Sequence, residues 1–162
     1  MGYYDVAQIC LNGHTITRSA RSSPDFTKKF CPKCGEETIT TCPRCNQPIQ
    51  GEYHVEGVVA IGCKDPPPPK FCHNCGGPYP WTEQKIQSAK ALADEFDDLT
   101  SSEREKLKQS LDDLYRDTPQ TEVAAVRFKK IMAKVGKESY AAMKEIIIGV
   151  LSEAARKCIF GS

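Results

Sequence analysis

Four pairs of soft metal ligands, each pair separated by two or three residues, constrain this chain more than any other feature. Three are C-x-x-C pairs: Cys31/Cys34 in CPKCG, Cys42/Cys45 in CPRCN and Cys72/Cys75 in CHNCG. The fourth is Cys10/His14 in CLNGH. Two intervening residues let a tight turn aim both ligands at one ion. Gly35, Asn46 and Gly76 behind the pairs, and Gly13 before His14, let the backbone fold under the sulfurs. Eight ligands fill two tetrahedral sites. Taken in chain order, these are Cys10, His14, Cys31, Cys34 and Cys42, Cys45, Cys72, Cys75. An interleaved pairing of the same knuckles also satisfies the spacing.

The expected ion is Zn²⁺, two per chain. Thiolate knuckles also hold iron in rubredoxin-like sites, but His14 and the two-ribbon layout favour zinc. CPKC and CPRC resemble thioredoxin motifs, yet such a motif needs a βαβ context that these short flanks lack. His54-Val55-Glu56 followed by Cys72 and Cys75 echoes the zinc deaminase signature. Phe71 rather than Pro precedes Cys72, four prolines intervene, and using His54 would orphan Cys42/Cys45. Cys63, in AIGC, reads as a buried free thiol and as the first substitute if a knuckle is misassigned. Four protein ligands leave no open position for a water, so both ions are expected to be structural and the protein to be no enzyme. No Ser/His/Asp group or phosphate loop contradicts this.

The chain has 162 residues, nine of them Cys, and eight of those precede position 76. The N-terminus MGYYDVAQ lacks the basic and apolar regions of a signal peptide, and no apolar run reaches the roughly 18 residues of a membrane span. Reduced thiols and a cytoplasmic location are therefore expected. Composition changes near Pro80-Trp81, and the polyproline stretch Pro66 to Pro69 lies just before it. The fold class expected is a small zinc-ribbon β region followed by a helical domain, a segregated α+β chain. The divisions are 1–40 for the first ribbon, 41–80 for the second and 81–160 for about four helices. Thr38-Ile39-Thr40 and Val55 to Ile61 read as strands. So short a ribbon half cannot build an adequate core unaided, and metal supplies the missing stabilisation.

In the helical half, Thr82 is expected to cap a helix reaching Asp98, with Ile86, Ala89, Leu92, Ala93 and Phe96 on one face. Thr100 and Glu103 form a capping box for the second, which carries Leu107, Leu111 and Leu114. Asp117-Thr118-Pro119 signals the start of the third, carrying Val123, Val126, Ile131 and Met132 and ending at Gly136. The fourth runs from Glu138 to about Phe160. Its apolar stripe is wider than one neighbour can cover, leaving Ile148, Ile159 and Phe160 for an interface.

Charge divides this half. Residues 81–122 hold six Lys/Arg and eleven Asp/Glu, whereas residues 123–162 hold eight and three. The simplest consequence is that acidic and basic helices pack side by side. The alternative is a basic arm, Arg127, Lys129, Lys130, Lys134 and Lys137, that binds nucleic acid. Residues 1–80 are a poor match for phosphate: eight Lys/Arg stand against seven Asp/Glu, and seven thiolates with two Zn²⁺ bring the formal charge to about −2.

YYDVAQICLNGH, FCPKCGEETITTCPRCNQPI and KFCHNCGGPYPWT, with DTPQTEVAAVRFKK and SEAARKCIF in the helical half, resemble an uncharacterised bacterial family of double zinc-ribbon proteins. The resemblance implies zinc binding at the eight positions above and no established activity. The function expected is a non-enzymatic zinc-binding adaptor, meeting a protein partner or a second copy through its C-terminal helix. Nucleic acid is the alternative partner, through residues near 127–137; a membrane surface is the least favoured.

Overall fold

A computed structural model describes residues 1–62 and 64–161. Cys63, expected to be a buried non-ligand, lies outside the described residues. The chain divides into two compact units, one from Met1 to Glu83 and one from Gln84 onward. The architecture is segregated α+β: small antiparallel sheets with the Cys clusters, then helices.

Among its described residues the first unit holds five short strands: β1 (Tyr3–Val6), β2 (Gln8–Cys10), β3 (Thr15–Thr17), β4 (Thr38–Ile39) and β5 (Gln50–His54). Strand β2 lies between β3 and β4, all antiparallel, while β1 pairs antiparallel with β5. The β1–β5 pairing sets Tyr4 across from Tyr53 and joins residues expected to belong to separate ribbons. Val55 to Ile61 does not form a strand. Glu56 and Gly57 turn the chain out of β5, with Gly57 at φ +80°, and the segment beyond is exposed.

Asp5 anchors this unit. Its carboxylate accepts backbone N–H groups from Val6 at 2.6 Å, Arg21 at 2.9 Å and Ser22 at 3.2 Å. Burial alone would raise its pKa, but these hydrogen bonds outweigh that and hold it below the usual carboxylate value. The apolar core is small: Ala7, Ile9, Ile49, Tyr79 and Trp81, together with ligand positions Cys42 and Cys72.

The second unit is helical: α1 (Pro80–Asp94), which begins in the first unit, α2 (Ser101–Leu114), α3 (Thr121–Met132), α4 (Lys137–Ile147) and α5 (Glu153–Phe160). Thr100 accepts from Glu103 N while Glu103 reaches back to Thr100 N, a complete capping box. Five helical expectations are corrected. Pro80 opens α1, so Thr82 is inside it and donates to Lys70 O instead of capping. Helix α1 stops at Asp94, and Phe96 and Leu99 pack from the turn beyond it.

The Asp117-Thr118-Pro119 signal forms a turn ahead of α3, held by Thr118 N donating to Thr121 Oγ1 and by Thr121 Oγ1 donating to Arg116 O. Helix α3 buries Ala124, Ala125, Phe128, Ile131 and Met132, leaving Val123 and Val126 exposed. Phase, not bulk, selects the core face: both sets fit helical spacing, but the alanines allow close approach to α2 and α5. Finally, the helix expected over Glu138 to Phe160 is two helices. The chain breaks at Gly149, buries Val150 and Leu151, and restarts at Ser152, whose hydroxyl accepts from Ala155 N.

Candidate metal centres

Each knuckle is built by one repeated backbone device. The first ligand's carbonyl accepts an N–H from the turn, and its own N–H donates to the chain leaving it. Gly35 N donates to Cys31 O at 2.8 Å, and Cys31 N to Glu36 O at 2.8 Å. The same pair of bonds recurs at Cys42 with Asn46 and Gln47, and at Cys72 with Gly76 and Gly77. The turn needs a left-handed residue, supplied by Gly35 (φ +75°), Asn46 (φ +61°) and Gly76 (φ +72°). At the first knuckle Gly13 N donates to Cys10 O at 2.8 Å, and Cys10 N to His14 O at 2.9 Å.

These turns bring two sets of ligands together. Cys10, His14, Cys31 and Cys34 form one cluster; Cys42, Cys45, Cys72 and Cys75 form the other. In each, the ligand atoms all lie within 4.8 Å of one another. The sulfur–sulfur distances are 3.7 Å for Cys10–Cys34, 3.8 Å for Cys42–Cys75 and 3.6 Å for Cys45–Cys72. His14 turns Nδ1 to the sulfurs, 3.4 Å from Cys10 and 3.6 Å from Cys31.

These spacings fit a tetrahedral zinc. Zn–S bonds of about 2.3 Å give a sulfur–sulfur edge of about 3.8 Å, and a Zn–N bond of about 2.0 Å gives a mixed edge of about 3.5 Å. A disulfide would need sulfurs about 2.05 Å apart. The donor set is also right for a soft divalent ion: seven sulfurs and one imidazole, with no carboxylate in either cluster.

The surroundings favour the thiolate at some ligands and oppose it at others: at Cys75 a backbone hydrogen bond involving Gly77 is outweighed by burial and by the cysteine neighbours, which push the thiol up to about 11. Asn12 Nδ2 donates to Cys34 Sγ at 3.4 Å, His14 N to Cys10 Sγ at 3.3 Å and Asn74 N to Cys72 Sγ at 3.4 Å. A backbone hydrogen bond involving Glu36, helped by Asn12, lowers the Cys34 pKa to about 6. A backbone hydrogen bond involving Cys75 is the main cause that lowers Cys72 to about 6, against partial desolvation. Burial holds the Cys10 thiol up. Loading a metal therefore expels protons from some thiols and uses charge already present on others.

One aromatic group joins the clusters' supports. Trp81 stacks on Tyr79 with ring centroids 4.7 Å apart and donates Nε1–H to Pro69 O at 2.8 Å. A Cβ at Gly13 would stand 2.9 Å from Trp81 Cβ, so glycine is required there both for its φ of +93° and for contact. Tyr79 is in turn hydrogen-bonded to Cys72. Trp81 and Tyr79 carry no ligand spacing or periodicity that would single them out, and they lie where the composition changes.

His54, the deaminase decoy, is in neither cluster. It stands with Nε2 3.5 Å from Asp5 Oδ2 and its ring 5.4 Å from Tyr3. Among the described residues no helix is long and apolar enough to cross a membrane.

Small antiparallel sheets carrying two four-ligand clusters, with a helical continuation, fit the class of double zinc-ribbon proteins. The chain belongs to a family described as an uncharacterized protein conserved in bacteria (DUF2321), whose profile matches residues 3–159. No curated protein and no solved structure matches it.

Proposed function

We propose that this protein is a non-enzymatic, cytoplasmic interaction module in which two structural Zn²⁺ ions hold the first unit together. The ligands would be Cys10, His14, Cys31 and Cys34 for one ion and Cys42, Cys45, Cys72 and Cys75 for the other. The observation that carries this reading is the closure of both clusters. Four protein ligands at tetrahedral spacing leave no position at which a water could be activated. Sites of this kind stiffen loops rather than transform substrates, and stiff loops are suited to recognition.

The second unit would supply the docking surface for a protein partner, on the α4–α5 side expected from sequence. That surface is narrower than the sequence suggests. Ile159 is buried and Phe160 is partly covered, with Lys144 Nζ 5.0 Å from its ring centroid, which leaves Ile148 at 41% exposure as the apolar anchor. The second reading, nucleic-acid binding, is favoured by a groove between α2 and α3. Lys106 joins Arg127, Lys130 and Lys134 along it, and among the described residues only Lys134 has an acidic partner there, Glu103.

Affinity capture of the zinc-loaded chain from its host, followed by mass spectrometry, tests the choice. A reproducible protein partner that is lost with Ile148→Asp supports the adaptor. Recovery of nucleic acid that is lost with Lys130→Glu supports the alternative. Elemental analysis should give two zinc ions per chain; zinc-dependent turnover that Glu56→Gln abolishes would overturn the non-enzymatic reading.

A further inference from the structure

Helix α3 turns Ala124, Ala125, Phe128, Ile131 and Met132 to the core and shows solvent a face that is part apolar and part basic. Val123 and Val126 stand 53% and 48% exposed there, and Arg127 and Lys130 follow them along the helix, also exposed. Steps of three, one and three residues keep these four side chains on one stripe.

Two concave surfaces meet on that stripe. One is an open hollow of about 500 Å³ lined by Glu122, Val123, Val126, Arg127 and Lys130. The other is the groove against α2, where Lys106 and Lys134 join Arg127 and Lys130. Arg127 and Lys130 belong to both, so the apolar hollow runs directly into the basic groove. Among the described residues, Lys106, Arg127 and Lys130 have no ion-pair partner, whereas Lys134 is paired with Glu103.

Three uncompensated cations beside two exposed valines fit a ligand that carries both negative charge and apolar side chains. Nucleic acid supplies only the first. A phosphate backbone would gain nothing from Val123 and Val126, and Glu122 in the hollow would repel it. A membrane surface is flat, whereas these residues line concavities. An acidic peptide with an aliphatic anchor meets both demands. The order of charge along the stripe gives its direction: Glu122 and the valines receive the anchor, and the carboxylates lie toward Lys130 and Lys134. Seven residues of helix separate Val123 from Lys130, about 10 Å, which an extended chain spans in about three residues.

We infer that the outward face of α3, with the α2–α3 groove, is a docking site for an acidic linear peptide whose aliphatic anchor precedes or follows its first carboxylate by about three residues. The inference rests on the adaptor reading in that the partner is a protein. It uses a different surface from α4–α5, so either can fail without the other.

Fluorescence anisotropy on the full zinc-loaded chain tests it. The probe is a labelled peptide in which a Leu-Leu anchor is joined through a Ser-Ser spacer to a run of glutamates. It should bind saturably, and more weakly as salt is raised. Replacing its leucines by serine should weaken binding about tenfold, and a single-stranded oligonucleotide of equal charge should bind no better than that control. Val126→Asp and Lys130→Glu should each weaken the leucine peptide about tenfold. Both positions are exposed, so helical circular dichroism and metal content should stay at the intact values. A peptide with one glutamate replaced by lysine should regain binding to the Lys130→Glu protein, a rescue that general destabilisation would not produce. Ile148→Asp should leave the peptide bound. Absence of saturable binding, equal binding of the leucine-free peptide or of the oligonucleotide, indifference to Val126→Asp and Lys130→Glu, or loss with Ile148→Asp would overturn the inference.

Discussion

The two units of this protein reach a folded state by different means. Beyond Gln84 the chain buries a cluster of nineteen apolar residues, and none of them is a candidate metal ligand. Before that point the corresponding cluster has, among the described residues, seven members, of which Cys42 and Cys72 are candidate ligands. Burial stabilises at about 25 cal/mol per Å² of apolar surface, so the helical unit has a driving force of its own. The ribbon unit has five non-ligand side chains and a set of tight turns. On the proposed reading the ions hold those turns against chain entropy, at an apparent 10–16 kcal/mol or so per structural zinc at neutral pH.

The largest expected effect breaks the molecule along that line. Trp81 is the only tryptophan, it is buried in the ribbon core, and it reports on the first unit. Far-UV circular dichroism reports mainly on the helices. Chelation should shift Trp81 emission to that of a solvated indole while most helical signal survives. Acid should do the same. Thiols held at about 6, as at Cys34 and Cys72, are ionised above that pH and protonated below it. Protons compete with metal for every ligand thiol, so affinity falls as pH drops, and zinc should appear in the filtrate on acidification. Simultaneous loss of both signals would mean that the helical unit also depends on metal.

Two substitutions sharpen the comparison from either side. Phe128→Ala empties a fully buried site on α3 and should cost about 3–5 kcal/mol, melting helices while metal content stays at the intact value. Asp5→Ala acts in the other unit. It strips acceptors from Val6, Arg21 and Ser22 N–H groups and should cost about 2 kcal/mol, with little effect on the helical melting transition. Thermal melts followed by both probes separate the two outcomes.

The two units also differed in how legibly the sequence described them. In the ribbon unit, ligand spacing is a local code: Cys31 and Cys34 meet because a two-residue turn permits little else. What was not legible there is long-range. Nothing near Tyr3 announces that β1 will pair with β5, and Val55 to Ile61 looks more like a strand than Gln50 to His54 does. In the helical unit the capping box at Thr100 was readable because both of its partners are three residues apart. The face of α3 was not, because valine and alanine both fit helical spacing and only the neighbours choose between them. The last helix was misread for a related reason. Its apolar content is nearly continuous, so periodicity could not show where the chain turns.

Ser152 gives the smallest expected effect and a clear sign. Were the chain helical from Lys137 through Phe160, Ser152 would sit mid-helix. Alanine there would then stabilise by a few tenths of a kcal/mol, since Ala is the better helix former. In the structure Ser152 is the N-cap of α5: its hydroxyl accepts from Ala155 N at 3.2 Å, and its own N–H donates to Leu114 O at 2.9 Å at the end of α2. Removing the hydroxyl leaves a buried helix N–H unsatisfied, a cost of about 1 kcal/mol. The main-chain bond to Leu114 survives, so the break itself should persist. Ser152→Ala should therefore lower the helical melting temperature slightly and leave both metal content and Trp81 emission unchanged, whereas Ser152→Asp, which keeps a capping oxygen, should recover much of the loss. A rise in melting temperature with alanine would mean that α4 and α5 are one helix in solution.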